Sequence, residues 1–174
     1  QQYFLNDNTA CYVLTGDNYP HRIPMRNDEE RLNVYNESGE DGLRGYLGTP
    51  EEIDFDRINK ELSEFKAGKD IIEIKHMGRE DGDISYDETD FTGIKVLILE
   101  WTHGGSEYLK GVDIPVFLES SPEETKARRI KRGRDENAAS PFICRVVELE
   151  QEKLDLQSKN ARIVVGKDGK VYEQ

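Results

Sequence analysis

Three groups of polar residues follow apolar runs that are typical of buried strands. Asp17 comes just after the run at 10–15, Glu100 ends the run at 95–100, and residues 166–170 follow the run at 161–165. Ligands in open α/β sheets bind outside the carboxyl ends of the strands, so we expect these groups to border one cleft. Carboxylates placed there can orient and deprotonate an acceptor hydroxyl and hold a magnesium-bound water, which is the chemistry of phosphoryl transfer.

A basic cluster stands out because the chain as a whole is acidic. The net charge is −12 and the pI is about 4.8. The cluster consists of Arg128, Arg129, Lys131, Arg132 and Arg134, interrupted by Gly133. Guanidinium groups fit phosphate oxygens, so the cluster is predicted to bind an anion such as a nucleotide phosphate. A solvated basic helix face is the alternative.

Each of the other polar groups can also be explained without a catalytic or binding role. The run Gly16–Asp17–Asn18 fits ordinary turn chemistry, and Glu100 fits a solvated acid at a strand end. His21 fits a surface position, and His103 beside two glycines fits an ordinary loop. The placement of three such groups at strand ends is what favours the joint functional interpretation.

The elements that must position these groups alternate between strands and helices. Strands are predicted at 10–15, 71–75, 95–100, 114–120 and 161–165, with a hairpin within 78–91. Helices are predicted at 28–36, 54–67, 122–132 and 141–157, with loop at 37–50. This alternation indicates an α/β fold with a mainly parallel sheet.

Length and composition exclude several classes of protein. A chain of 174 residues favours one domain with a sizeable core. The acidic net charge disfavours nucleic acid and anionic membranes as partners, and no apolar run reaches the ~20 residues of a membrane span. Cys11 and Cys144 match no metal or redox spacing, which favours reduced thiols in a cytoplasmic protein.

The sequence lacks the loop that cradles nucleotide phosphates in many kinases. That loop reads Gly-x-x-x-x-Gly-Lys followed by Ser or Thr, between a strand and a helix. The Gly-Lys pairs at 68–69, 166–167 and 169–170 have neither the earlier glycine nor the following hydroxyl residue. Because residues 1–5 resemble the end of a helix, we expect the cradle to lie upstream of Gln1. The 174 residues are thus expected to form a single kinase-like domain that is truncated at its start.

Several segments together resemble the uridine kinase and phosphoribulokinase branch of the P-loop kinases. The resemblance covers about residues 9–171 and is carried by "VLTGDNYP", "IDFDRINKELSEFKAGKDI", "IKVLILEWTHGG", "IPVFLESSPEETKARRIKRGRDE" and "KNARIVVGKDGKV". The first segment is also similar to the Asp-Gly-Asp-Asn run of adenylylsulfate kinases, although the later segments do not continue that pattern.

The resemblance implies a P-loop kinase-like sandwich with helices on both faces of a parallel sheet and an arginine-rich lid. It implies ATP and Mg²⁺ as cofactors. Asp17 would act as base or orienting group on the acceptor hydroxyl and, with Glu100, hold Mg²⁺ through water. The implied nucleotide contacts are Arg128, Arg132 and Arg134 in the lid and Gly166, Lys167 and Asp168 beside the adenine.

The expected acceptor site departs from the pattern of uridine kinases. After "IEIK" this chain continues with "HMGREDGD", so His76 and Arg79 are expected to contact a polyol other than a pyrimidine nucleoside. Trp101 and His103, in "EWTHGG", are expected to wall the acceptor pocket. Four residues next to Asp17 complete the predicted acceptor contacts: Asn18, Tyr19, His21 and Arg22.

Three hypotheses therefore stand. The first is an ATP-dependent kinase of a sugar or nucleoside, and sugar kinases of this branch, including sucrose-kinase modules fused to glycosidases, fit the acceptor region. The second is a non-catalytic nucleotide- or sugar-binding module that has lost its cradle. The third is a structural or regulatory domain of a larger polypeptide. The acceptor, a homodimer and a fused domain all stay open.

Overall fold

Two parallel strands form the part of the fold that carries the first two predicted polar groups. The computed structural model describes residues 9–121, 123–125, 127 and 140–174. Strand β1 (Cys11–Thr15) pairs in parallel with strand β4 (Val96–Glu100), and Thr15 lies opposite Glu100. A 3₁₀ turn over Gly16–Asn18 ends β1. The carboxyl ends of the two strands are therefore level with each other.

A hairpin and a second small sheet complete the strands. Strand β2 (Ile71–Met77) pairs antiparallel with β3 (Ile84–Asp90), so the hairpin predicted within 78–91 uses the preceding strand as its first arm. Strand β5 (Val116–Leu118) pairs in parallel with β6 (Ile163–Val165). Strand β7 (Val171–Glu173) then pairs antiparallel with β6 after a turn at 166–170.

Helix α1 (Pro24–Tyr46) is much longer than the sequence pattern indicates. The helix predicted at 28–36 lies within this range, but the loop predicted at 37–50 is wrong, because a second helical stretch runs on to Tyr46. The two stretches meet at Gly39, whose φ of 67° and ψ of −161° are not helical and kink the chain. The second half is held by tertiary packing, in which Leu43 and Leu47 contact Val146 and Leu149. Packing thus overrides a polar, glycine-containing local sequence.

Helices α2 (Phe55–Lys66) and α3 (Pro141–Gln157) confirm their predictions closely. The Asp54 side chain accepts a hydrogen bond from the Arg57 amide at the start of α2, and Ser140 accepts from the Ile143 amide at the start of α3. The predicted helix at 122–132 lies largely outside the described residues, although 123–125 are helical. The helical end predicted for residues 1–5 also lies outside them.

The main core lies between β1, the hairpin and α2. Its fully buried members include Leu14, Ile58, Ile72 and Ile74. Cys11 and Cys144 are both free thiols, as expected. Over the described part of the chain, no helix is long and apolar enough to cross a membrane. The parallel pairs with packed helices confirm the predicted α/β class.

Candidate active site

The carboxylates Asp17 and Glu100 stand at the ends of the two neighbouring parallel strands. Thr15 and Glu100 are register partners, and Asp17 follows Thr15 by one turn residue. Both side chains are solvent-accessible. Parallel pairing therefore brings together at one sheet edge two acids that are far apart in the sequence, as the strand-end argument predicts.

A cavity of about 450 Å³ opens beside this edge. This volume lies within the range of ~300–1,000 Å³ that is usual for small-molecule sites. Its walls come from the end of β1, helices α1 and α3, and the β2–β3 turn. The residues that matter below are Asp17, Asn27, Asp28, Arg31, Glu52, Arg79, Trp101, His103, Glu150 and Gln151.

Four of the predicted site residues meet in this cavity. They are Asp17, Arg79, Trp101 and His103. The Trp101 ring packs 5.6 Å from the ring of Phe55 and 5.4 Å from that of His103, measured between centroids. An indole surface next to a carboxylate is suited to bind the apolar face of a sugar while its hydroxyls meet the acid.

A buried ion pair on the far wall was not anticipated from the sequence. The Glu52 side chain, 1% exposed, accepts hydrogen bonds from Arg31 Nε at 2.6 Å and from Asn27 Nδ2 at 3.0 Å. Its second oxygen accepts from the Gly48 amide at 2.6 Å. Arg31 also pairs with Glu150 of α3 at 2.9 Å. The i, i+4 spacing of Asn27 and Arg31 on one helical face is the signal that could have found them.

Glu52 stays charged in this buried wall, whereas His103 is neutral. Burial alone would raise the pKa of Glu52, but the Arg31 guanidinium, the Gly48 amide and Asn27 hold it below its usual range. Burial lowers the pKa of His103, and the nearby acids Glu150 and Glu52 do not offset it. The wall therefore presents a charged carboxylate–guanidinium pair next to a neutral imidazole.

Tyr19 does not belong to the cavity, which corrects the prediction that it contacts the acceptor. Its side chain is fully buried and its hydroxyl donates to Glu61, itself 1% exposed. Arg57 Nε donates to the same carboxylate at 2.6 Å, and the Lys75 amide at 3.2 Å. Burial, followed by the hydrogen bond to Glu61, raises the pKa of Tyr19. Tyr19 is thus a core residue that packs beneath the site and does not line its cavity.

The remaining predicted acceptor residues lie outside the main cavity. His21 Nε2 is 3.0 Å from the Pro50 carbonyl oxygen and lines a smaller cavity of about 230 Å³. Arg22 lies 3.4 Å from Glu30, and His76 is partly exposed on the hairpin, 3.9 Å from Asp87. Asn18 ends the turn after β1 and is partly exposed. The structure does not bring these side chains to Asp17.

The predicted nucleotide contacts are separate from the cavity or undescribed. Arg128, Arg132 and Arg134 lie outside the described residues. Gly166, Lys167 and Asp168 form the β6–β7 turn, where Asp168 pairs with Lys170 at 2.7 Å. Lys167 lines a different cavity, of about 350 Å³, together with Phe117 and Glu119. Their contact with a nucleotide stays a prediction.

The pair Asp17 and Glu100 is compatible with a magnesium ion bound mainly through water and phosphate. Mg²⁺ commonly uses one or two carboxylates and keeps several waters. Within the described ranges, no cluster of three or more His, Cys, Asp or Glu side chains could hold a metal by itself. An ion bound by these two carboxylates would take its other ligands from water or from phosphate oxygens.

Comparison with known proteins agrees with this architecture. The chain is 75% identical over all 174 residues to part of the bifunctional alpha-galactosidase/sucrose kinase AgaSK of Mediterraneibacter gnavus. It spans 19% of the length of that relative. No family model matches the sequence.

Among solved structures, the chain is similar to the phosphoribulokinase of Rhodobacter spheroides. The TM-score is 0.70 at 12% identity, and the match covers 95% of this chain and 63% of that one. The predicted fold class is thereby confirmed, because the chain shares the fold of this phosphoribulokinase.

Proposed function

We propose that this chain is the kinase module of a longer polypeptide and transfers the γ-phosphoryl group of ATP to a hydroxyl of a sugar. The observation that carries the proposal is that Asp17 and Trp101, at the ends of paired parallel strands, line one sugar-sized cavity. The sucrose kinase activity in the name of the relative supports a sugar acceptor and makes sucrose the first candidate. A nucleoside is the second candidate, through the resemblance to uridine kinases.

In this proposal the protein contributes mainly positioning. Asp17 orients the acceptor hydroxyl and accepts its proton as the oxygen attacks the γ-phosphorus. The Trp101 ring packs against the sugar and excludes water from the reacting atoms. His103, in edge contact with Trp101, helps to fix the ring.

Charge neutralisation completes the proposed chemistry. Asp17 and Glu100 would hold Mg²⁺ through water, and the ion would offset charge on the phosphate oxygens. Arg128, Arg132 and Arg134 would close over the nucleotide as a lid, and Gly166, Lys167 and Asp168 would border the adenine, as the resemblance implies. Arg79 is a further cation that lines the cavity.

The phosphate cradle would be supplied by another segment of the same polypeptide. Strand β4 pairs only with β1, and β5 only with β6, among the described strands. An apolar cavity of about 510 Å³ lies between them, lined by residues 96–99 and by Ile114 and Val116, which are about half exposed. Unpaired strand edges flanking an apolar groove are suited to take up an extra strand.

Hydrogen exchange tests this arrangement. In the complete polypeptide, the amides of β4 and β5 that point away from β1 and β6 should exchange more slowly than in the isolated 174 residues. The exchange of helix α3 (141–157), none of whose residues lines the groove, is the internal reference. Equal exchange of the β4 and β5 amides in both proteins would rule out a strand in the groove.

The function is tested with the complete polypeptide, ATP and Mg²⁺, against a panel of mono- and disaccharides and nucleosides. We expect phosphorylation of a sugar, detected as a new phosphate monoester by ³¹P NMR. Phosphorylation of nucleosides alone would replace the sugar by the second candidate. Binding of sugar without any transfer would instead support the alternative of a non-catalytic binding module.

A further inference from the structure

Two buried polar atoms in the wall of the main cavity have no hydrogen-bond partner among the described residues. They are Asn27 Oδ1 and His103 Nδ1. The two residues are 5% and 7% exposed, and both line the cavity that contains Asp17. Buried polar groups are nearly always paired, because an unpaired one keeps its full desolvation cost. Two such atoms in one cavity wall are therefore available to bond a water molecule or a ligand hydroxyl group.

The orientation of Asn27 is fixed by its other hydrogen bond. Its Nδ2 donates to Glu52 Oε1 at 3.0 Å, and Glu52 is held in turn by Arg31 Nε and by the Gly48 amide. The amide oxygen of Asn27 is therefore left as a pure acceptor. A hydroxyl group is the simplest donor that would satisfy it.

The ring of His103 is likewise held in place by its neighbours. A Cβ atom at Gly48 would lie 3.0 Å from Cε1 and Nδ1 of the ring, so the ring packs tightly against this glycine. On the other side, Trp101 meets it nearly edge-on, at an interplanar angle of 83°. A neutral imidazole nitrogen either accepts from or donates to a hydroxyl, depending on its tautomer. A sugar hydroxyl matches both cases.

The charges around the cavity favour an uncharged ligand at this wall. The Arg31 guanidinium already contacts three carboxylates, those of Glu52, Glu150 and Asp28. The carboxylates that line the described cavity, Asp17, Asp28, Glu52 and Glu150, outnumber the guanidiniums, Arg31 and Arg79. A phosphate or carboxylate on the acceptor would face net negative charge here.

We propose that Asn27 and His103 form a subsite that binds hydroxyl groups of an uncharged sugar and selects it over a phosphorylated one. The inference rests on the proposed function, since it places the acceptor in the same cavity as Asp17. Asn27 and His103 are specificity-determining residues in this scheme. Glu52 and Arg31 act through Asn27 and are positioning residues.

The test compares sugar binding with folding stability in the complete polypeptide. His103→Phe keeps a ring but removes both nitrogens. We expect it to raise the sucrose Kd, measured by calorimetry without ATP, by about 5- to 20-fold, because a hydrogen bond to the ligand is lost. The KM for ATP should stay unchanged, and the unfolding temperature without sugar should fall little, because one of the two nitrogens removed, Nδ1, has no partner among the described residues. A variant that binds sucrose normally would overturn the assignment of His103.

A second variant keeps the proposal testable if His103→Phe fails to fold. Asn27→Ala should weaken sucrose binding by a similar factor, while Asn33→Ala, an exposed asparagine on the same helix, should not. A deoxy-sugar that lacks the hydroxyl bound by Asn27 should bind equally to the wild type and to Asn27→Ala. If every deoxy-sugar still distinguishes the two proteins, Asn27 has only a structural role.

The ligand class is tested separately with a sugar phosphate. We expect sucrose to be bound at least tenfold more tightly than a hexose phosphate, and the reverse preference would overturn the subsite while leaving a sugar kinase in place. If sucrose binds and the variants lose it, but no phosphoryl transfer occurs, the subsite is supported and the proposed kinase function fails. The two failures are thus distinguishable.

Discussion

Gly16 lies directly against the indole ring of Trp101, so closely that a methyl group on Gly16 would overlap the ring. The same ring contacts Phe55, Tyr19 and His103. The absence of a side chain at the end of β1 therefore sets the position of the aromatic wall beside Asp17. This contact therefore connects the turn after β1 to the wall of the cavity.

Substitution of Gly16 by Ala should displace Trp101. We expect a loss of stability of about 1–3 kcal/mol from overpacking, together with a raised KM for the acceptor. Thermal unfolding and steady-state kinetics of the complete polypeptide measure the two effects. Gly45→Ala is the matched control, because this exposed helical glycine has no neighbour that a methyl group would meet. The control should gain up to ~1 kcal/mol; equal unfolding temperatures for the two variants would contradict the packing argument.

Asp17→Asn should lower turnover by about 10²- to 10⁴-fold, because the amide does not accept the proton of the acceptor hydroxyl. The unfolding temperature should change little, since Asp17 is exposed at the end of β1. Asp87→Asn, on the exposed hairpin strand β3, is the same chemical change away from the cavity. A normal turnover number for Asp17→Asn would remove this carboxylate from the chemistry.

Part of this site follows from local sequence, and part depends on contacts that local sequence does not report. The strand ends at Thr15 and Glu100 and the helix starting at Phe55 follow from apolar periodicity and turn residues. The Asn27–Glu52–Arg31 wall does not, because helix α1 is stabilised through Leu43 by a helix about a hundred residues later in the chain. The buried position of Tyr19 is not predicted by local sequence for a similar reason. Its hydrogen-bond partner, Glu61, is buried on another element.

Glu52→Gln should destabilise the fold by roughly 3–5 kcal/mol, because Arg31 then loses a buried partner. The substitution should also change the pH dependence. The pKa of Glu52 lies below its usual value, so the stability it contributes is complete above about pH 4.3 and lost as pH falls through the folded-state pKa. Acid unfolding of the variant should therefore be less steep in this range, as measured by urea melts at several pH values.

Glu40→Gln is the control for this change. Glu40 also bridges helices α1 and α3, through Arg145, but its side chain is 41% exposed. Its loss should destabilise the protein much less than the loss of Glu52, because water screens exposed pairs. If the two substitutions destabilise the protein equally, the buried wall is not the rigid element that the site requires.

The β2–β3 turn places Arg79 in the wall of the cavity. An exposed ion pair holds this turn against helix α1. Arg26 contacts Asp81 through two hydrogen bonds, of 3.0 and 2.5 Å. Both side chains are about half exposed, so Asp81→Asn should leave the unfolding temperature nearly unchanged. It should nevertheless raise the KM for the acceptor, because the turn is freed. Added salt should raise the KM of the wild type towards that of the variant. If neither salt nor the substitution changes the KM for the acceptor, the Arg26–Asp81 ion pair does not position Arg79.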